Sequence, residues 1–249
     1  MKIMLVNDDG YRALGIVTLG RALQARGHEV IVCAPDRERS AAGHSFTITE
    51  PLRAREFTEN GLKGWAIDGT PADCARLGLY MLNNDVDLTI SGINRGANLG
   101  GACVYSGTIS GAMEAAMCGC QAMATSLYVK GPNDFESAAK VTISTLEWVM
   151  EHPLAMGDIY SLNVPDIPYE SIKGVRGATL APKFLGESKY EKRRAPYNFD
   201  YYWLVDGVNV PMEDPESDVL LCEAGWATMS RLTWNMMAPE PPAPLDIAL

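Results

Sequence analysis

The chain has 249 residues, with 21 Lys or Arg against 31 Asp or Glu, which gives a formal net charge of −10 at pH 7. A chain of this length buries a sizeable core, and its acidity disfavours nucleic-acid polymers and anionic membranes as partners, because both bind through Lys and Arg. No apolar run reaches the roughly 18 residues that span a bilayer and no leader segment is recognised, so we expect a cytoplasmic protein that binds no membrane.

The first predicted element is a short apolar strand, Lys2 to Val6, which runs into Asn7-Asp8-Asp9-Gly10. Open α/β sheets bind their ligands outside the carboxyl ends of the strands, so the carboxylates of Asp8 and Asp9 lie where chemistry is expected. A divalent cation would remove their mutual repulsion, and oxygen donors suit Mg²⁺, Mn²⁺ or Ca²⁺. An ordinary solvated Asp-Gly turn is the alternative.

A β-α-β unit and a hairpin follow this acidic turn. An amphipathic helix ends at Gly27, the strand 29–35 comes next, and the loop 36–45 leaves the same sheet edge as Asp8. Short alternating runs over 46–67 predict a β-hairpin excursion.

The middle of the chain continues the alternation of helices and strands. Pro71, with Thr70 as cap, begins a helix that is expected to run through Met81. The strand 86–90 then ends in the glycine-rich stretch 91–101, which is suited to cradle an anion.

A small-residue helix over 109–117 follows Ser106-Gly107-Thr108. The N-terminus of such a helix offers unpaired N–H groups and a positive dipole end to an anion. The strand 121–128, the helix 135–150 and the strand 156–164 complete a Rossmann-like α/β fold whose doubly wound sheet is mostly parallel.

The pattern becomes irregular after residue 165. We therefore divide the chain into a Rossmann-like core over 1–165 and a C-terminal extension over 166–249 that is expected to pack on the core. In the extension, the basic run 189–194 is predicted as a solvated loop or a subunit-contacting arm. A strand is predicted over 201–204, a helix over 218–224, and an extended proline-rich tail over 238–249.

The polar segments at 7–9, 36–45, 91–98 and 106–108 all follow strands or open helices, so one sheet edge should gather them. Two carboxylates and a neutral Ser or Asn oxygen from a neighbouring strand end would hold a divalent ion, and metal-bound water would attack a phosphorus held by backbone N–H groups. This predicts metal-assisted phosphate-ester hydrolysis. His44 is either a surface residue or the proton donor to the leaving alcohol.

Five motifs in unbroken order resemble those of the SurE family, the survival-protein 5′-nucleotidases. They are Asn7-Asp8-Asp9-Gly10, Ala34-Pro35-Asp36-Arg37 with Ser40 and Gly43-His44-Ser45, Gly69-Thr70-Pro71-Ala72-Asp73-Cys74, Ser91-Gly92-Ile93-Asn94 with Gly96, Asn98 and Gly100, and Tyr105-Ser106-Gly107-Thr108. Several motifs in the right order are a far stronger signal than one.

The resemblance implies that the core 1–165 is a metallophosphatase and that the extension 166–249 is an oligomerisation arm of a homodimer or homotetramer. It implies hydrolysis of nucleoside 5′-monophosphates, with 3′-monophosphates and short polyphosphate as further substrates. It implies one divalent ion per subunit, Mg²⁺ or Mn²⁺, held by Asp8, Asp9, Ser40 and Asn94. The phosphate pocket would comprise Asn98, Ser106, Gly107 and Thr108. The residues predicted as catalytic are Asp8, Asp9, Asn94 and His44.

Three other interpretations compete with this one. A glycosyltransferase-like transferase is suggested by the helix–strand unit that ends at Pro35, and release of free phosphate would exclude it. A haloacid-dehalogenase-like phosphatase requires a second Asp where Gly10 stands. A receiver-like switch requires a phosphorylatable Asp after a middle strand, where this chain has Ser91-Gly92-Ile93-Asn94.

Overall fold

The computed structural model describes residues 1–82, 85–182, 187–208 and 214–235. The helices in these ranges are α1 (Leu14–Ala25), α2 (Pro71–Leu77), α3 (Gly107–Met117), α4 (Phe135–Glu151) and α5 (Asp218–Glu223). The strands are β1 (Lys2–Val6), β2 (Glu29–Pro35), β3 (Ala54–Glu59), β4 (Leu62–Ile67), β5 (Leu88–Arg95), β6 (Gln121–Tyr128), β7 (Asp158–Pro165), β8 (Val175–Gly177), β9 (Glu187–Arg194), β10 (Asp200–Val208) and β11 (Ala227–Thr233).

One nine-stranded sheet organises the described chain, in the order β3-β4-β2-β1-β5-β6-β7-β11-β8. The strands β4, β2, β1, β5, β6 and β7 pair in parallel, whereas β3 and β11 run antiparallel to their neighbours β4 and β7. The predicted mostly parallel Rossmann-like sheet is confirmed. The hairpin excursion is β3–β4, and it extends the main sheet.

Helices cover both faces of this sheet. Ile3 and Leu5 of β1 belong to the core cluster under α1 and α4, and Met4 and Val6 belong to the cluster under α2 and α3. Because β1 is central and buried on both faces, it carries an uninterrupted apolar run rather than an alternating one.

Several predicted boundaries are wrong, and three of them concern β5, α2 and α3. β5 runs on to Arg95, with a register shift between Ser91 and Asn94, because Gly92 takes a φ of +137° and permits an irregular strand where the sequence indicates a loop. The α-helix α2 ends at Leu77 and a π-helical turn continues to residue 82. The helix α3 begins two residues earlier than predicted, at Gly107.

The C-terminal segment contributes to the main sheet through β8 and β11, neither of which was predicted. The basic run 189–194 is not a loop but most of β9, which pairs with β10 in a separate antiparallel hairpin. The predicted tail 238–249 lies outside the described residues. None of the described helices is long and apolar enough to cross a membrane, and the cytoplasmic location stays a prediction.

Candidate active site

A cavity of about 640 Å³ lies at the carboxyl edge of β1 and β5. Six of the predicted site residues line it: Asp8, Asp9, Ser40, Asn94, Asn98 and Ser106. They come from the ends of β1 and β5, from the loop after β2 and from the start of α3. The predicted convergence at one sheet edge is therefore present in the structure.

Asp8 is the most buried carboxylate of the cavity, with an exposed fraction of 4%. Burial raises its pKa from 3.8 to about 6, and the charge of Asp9 adds to this effect. The Thr108 hydroxyl donates a hydrogen bond to Asp8 Oδ1 and opposes the rise in pKa. Asp8 is therefore costly to ionise in the protein alone.

Asn7 fixes the turn that presents the two carboxylates. Its buried side-chain amide donates to the Gly10 carbonyl at 2.9 Å and accepts from the Gly10 N–H at 3.2 Å. Gly10 has a φ of +97°, a conformation that other residues rarely adopt, and a Cβ there would lie 3.2 Å from the Arg37 backbone. The Asp-Gly turn is thus a rigid, closed turn rather than a solvated one.

Asp9 accepts a hydrogen bond from the Arg95 N–H at 3.2 Å. Burial still raises the pKa of Asp9, and the charge of Glu38 contributes in the same direction. Burial therefore makes both adjacent carboxylates costly to ionise, although Arg95 partly offsets this for Asp9, and a bound cation would favour their charged forms.

Ser40 and Asn94 add neutral oxygens to the cavity. The Ser40 hydroxyl donates to Glu38 Oε1 at 2.7 Å, which leaves its lone pairs free to accept. The Asn94 amide nitrogen donates to the Gly96 carbonyl at 2.8 Å. No group of three or more His, Cys, Asp or Glu side chains that could hold a metal occurs in the described part of the chain, so a cation here would depend on neutral donors. Such an all-oxygen set fits Mg²⁺ or Mn²⁺.

The three residues at the start of α3 have different roles. The Ser106 side chain caps the helix by accepting from the Ile109 N–H at 3.0 Å. A Cβ on Gly107 would lie 2.8 Å from Asp8 Cβ, so only glycine lets Asp8 pack against the helix. The backbone and the hydroxyl of Thr108 both bond to Asp8. Gly107 and Thr108, predicted as phosphate-binding, therefore contact Asp8, and neither is among the residues that line the cavity.

The structure does not bring His44 into this cavity. Its Nε2 lies 2.9 Å from Glu114 Oε2, in a separate cleft that Phe46 and Arg76 also line. Burial opposes ionisation of Glu114, but the hydrogen bonds from His44 and Arg76 outweigh it and lower its pKa. The imidazole therefore links the loop after β2 to α3 through its contact with Glu114.

Seven described residues in the cavity wall were not predicted as site residues: Glu38, Ala41, Arg95, Ala102, Tyr105, Tyr190 and Leu204. The first five lie within or beside the sequence motifs, and this position is a signal that sequence reasoning could have used. Tyr190 and Leu204 lie on β9 and β10, and no local pattern connects those strands with the site.

The fold and the cavity define a Rossmann-like α/β protein with an acidic, oxygen-lined site at the carboxyl edge of its sheet. Residues 3–187 match the family model described as survival protein SurE. The chain belongs to the SurE family.

Relatives and a solved structure agree with this assignment over nearly the whole chain. The 5′-nucleotidase SurE of Gloeobacter violaceus is 41% identical over 241 residues, which cover 95% of this chain and 91% of the relative. That of Nostoc sp. is 41% identical over 250 residues, with 95% and 94% covered. The crystal structure of the SurE protein from Aquifex aeolicus matches with a TM-score of 0.82 at 34% identity and covers 95% of each chain. The predicted family and enzyme class, a 5′-nucleotidase, are confirmed.

Proposed function

We propose that this protein hydrolyses nucleoside 5′-monophosphates to nucleoside and inorganic phosphate with one divalent ion per subunit, Mg²⁺ or Mn²⁺. The observation that carries the proposal is the meeting of Asp8 and Asp9 with the neutral oxygens of Ser40 and Asn94 in one cavity. In the reaction the ester P–O bond breaks, a bond forms from water oxygen to phosphorus, and a proton passes to the nucleoside oxygen.

Asp8, Asp9, Ser40 and Asn94 would hold the metal, which supplies activation of water and charge stabilisation at the phosphoryl group. The Thr108 hydroxyl keeps Asp8 oriented toward the cavity. Burial raises the pKa of both carboxylates, and a cation bound between them would favour their ionised forms, which supports a metal at this place.

Asn98 and Ser106 provide amide and hydroxyl groups on the cavity wall for the phosphoryl oxygens, with Arg95 as a nearby cation. The substrate is a small anion and the protein is acidic, so these local donors must offset the overall repulsion. The same groups would accept 3′-monophosphates and short polyphosphate, which are further proposed substrates.

Tyr105 and Tyr190 would hold the base of the nucleotide. Both line the cavity, and their exposed fractions of 59% and 68% leave ring surface uncovered. A flat aromatic base stacks on such rings, and the stacking depends little on which base it is. Tyr105→Ala should therefore raise KM for nucleoside monophosphates and leave KM for inorganic polyphosphate unchanged.

A homodimer or homotetramer is part of the proposal. The hairpin β9–β10 carries Tyr202 and Trp203 with more than half of each side chain exposed. Exposed aromatic side chains of this size are suited to a subunit contact. Light scattering on the purified protein tests this directly, and a monomeric mass at micromolar concentration would contradict it.

The decisive experiment measures phosphate release from a panel of nucleoside monophosphates with Mg²⁺, with Mn²⁺ and with EDTA. We expect release that EDTA abolishes and added metal restores. Asp9→Asn should abolish it while the protein stays folded, and Asp85→Asn, at an exposed site that pairs with Lys2 away from the cavity, should not. If no nucleotide of the panel gives metal-dependent phosphate release, the proposal is refuted.

A further inference from the structure

A row of four polar side chains crosses the sheet beneath the cavity. Asn94 of β5 is the register partner of Ser126 of β6, Ser126 is the partner of Asn163 of β7, and Asn163 is the partner of Thr228 of β11. Directly paired residues of adjacent strands point to the same face. Ser126, Asn163 and Thr228 are almost fully buried, so this row places hydrogen-bonding groups in the core below the site.

Asn163 makes a reciprocal pair of hydrogen bonds with the main chain of Asn98. Its Oδ1 accepts from the Asn98 N–H at 2.8 Å, and its Nδ2 donates to the Asn98 carbonyl at 3.0 Å. The Asn163 side chain therefore satisfies both the N–H and the carbonyl of Asn98, which lies 65 positions away in the sequence, as a neighbouring strand would.

The side chain of Asn98 is fixed as well. Its Nδ2 donates to the Ser126 hydroxyl at 2.8 Å, and this nitrogen carries a second hydrogen. Asn163 thus fixes the backbone of Asn98, and Ser126 orients its side-chain amide. The buried residues of β6 and β7 therefore determine the conformation of Asn98 in the cavity wall.

We infer that Asn163, together with Ser126, is a positioning residue that aims the Asn98 amide at the phosphoryl group of the substrate. The inference rests on the proposed function, because it requires Asn98 to contact that group. Asn163 is 2% exposed and is absent from the cavity wall, so it acts through Asn98 and not on the substrate. Preorganised donors of this kind need support that locks their geometry.

The same strand offers a matched control. Ser161 lies two residues before Asn163 on the same face of β7, is equally buried, and its hydroxyl has no hydrogen-bond partner in the described structure. Ser161→Ala therefore removes a buried polar group from the same region without touching Asn98.

The test compares the binding of inorganic phosphate, measured by calorimetry in the presence of Mn²⁺, with kcat/KM for a nucleoside monophosphate. Asn163→Ala should weaken both by about tenfold or more, because a misplaced donor loses most of its effect. Ser161→Ala should change neither by more than about twofold. The Mn²⁺ concentration for half-maximal activity should stay the same in both variants, since Asp8 and Asp9 are not displaced.

A double substitution separates positioning from a merely structural role. In an Asn98→Ala background, Asn163→Ala should cause no further loss of phosphate affinity, because the amide that it aims is gone. Additive losses, or an Asn163→Ala variant that behaves like Ser161→Ala, would overturn the inference. If Asn163→Ala does not fold, Ser126→Ala carries the same comparison through the remaining hydrogen bond. Failure of the unsubstituted protein to bind phosphate or release it would instead refute the proposed function.

Discussion

Replacing Asp8 by Asn should inactivate the protein and at the same time stabilise it when no metal is present. Asp8 is buried, lies beside Asp9, and its pKa rises from 3.8 to about 6, with burial as the largest cause. The Asn side chain has nearly the same shape and keeps an oxygen that accepts the Thr108 hydrogen bond. The substitution removes the charge and leaves the packing.

The magnitude follows from the pKa of Asp8. A pKa of about 6 in the native protein, against 3.8 in the unfolded chain, lowers the free energy of unfolding by about 3 kcal/mol when Asp8 is ionised rather than protonated. The native state holds this proton more tightly than the unfolded chain, so stability falls as the pH rises from about 3.8 through about 6. The full gain from Asp8→Asn is therefore expected above pH 6, and about half of it at pH 5. Since the new amide N–H groups need partners, we expect about 1–3 kcal/mol at pH 7.5.

The assay is urea denaturation in EDTA at pH 7.5 and pH 5 for the unsubstituted protein and the variant. Added Mn²⁺ should stabilise the unsubstituted protein and have little effect on Asp8→Asn, because ligand binding to the native state adds to its stability. Asp158→Asn is a control of opposite sign. Burial opposes ionisation of Asp158, but the hydrogen bond from Arg231 outweighs it and lowers its pKa, so this variant should lose stability at pH 7.5. If Asp8→Asn is no more stable than the parent in EDTA at pH 7.5, or gains equally at pH 5, the argument fails.

Three further predictions concern neighbouring residues. Gly107→Val should lower both activity and affinity for Mn²⁺, because any Cβ at this position meets the side chain of Asp8 at 2.8 Å; unchanged metal affinity by titration would contradict this. Thr108→Ala should raise the Mn²⁺ concentration for half-maximal activity by about tenfold, since it removes the hydroxyl that steadies the ionised Asp8, whereas Thr108→Ser should retain most of the affinity. His44→Gln should keep most of kcat but lower the melting temperature by a few degrees, because the imidazole bonds to Glu114 at a place outside the cavity. A loss of kcat of a hundredfold or more would instead support His44 as the proton donor.

The sequence alone determined the features that depend on neighbouring residues along the chain. Periodicity located most helices and strands, and the Asp-Gly signal located a turn after Val6, whereas the hydrogen bonds by which Asn7 closes that turn came from the structure. The predicted cap of α2 is confirmed as a capping box, in which Thr70 and Asp73 each accept from the other's backbone N–H. The adjacent carboxylates of Asp8 and Asp9 are a local pattern too, so their place at a strand end was predictable.

Only the tertiary structure decided what these residues contact. Thr108 turns its hydroxyl to Asp8, His44 pairs with Glu114 in another cleft, and Asn163 holds Asn98 across two strands. Each contact joins residues between 65 and 100 positions apart. Such pairs are fixed by strand register and by how each helix rotates against the sheet, and neither leaves a periodic signal in the sequence.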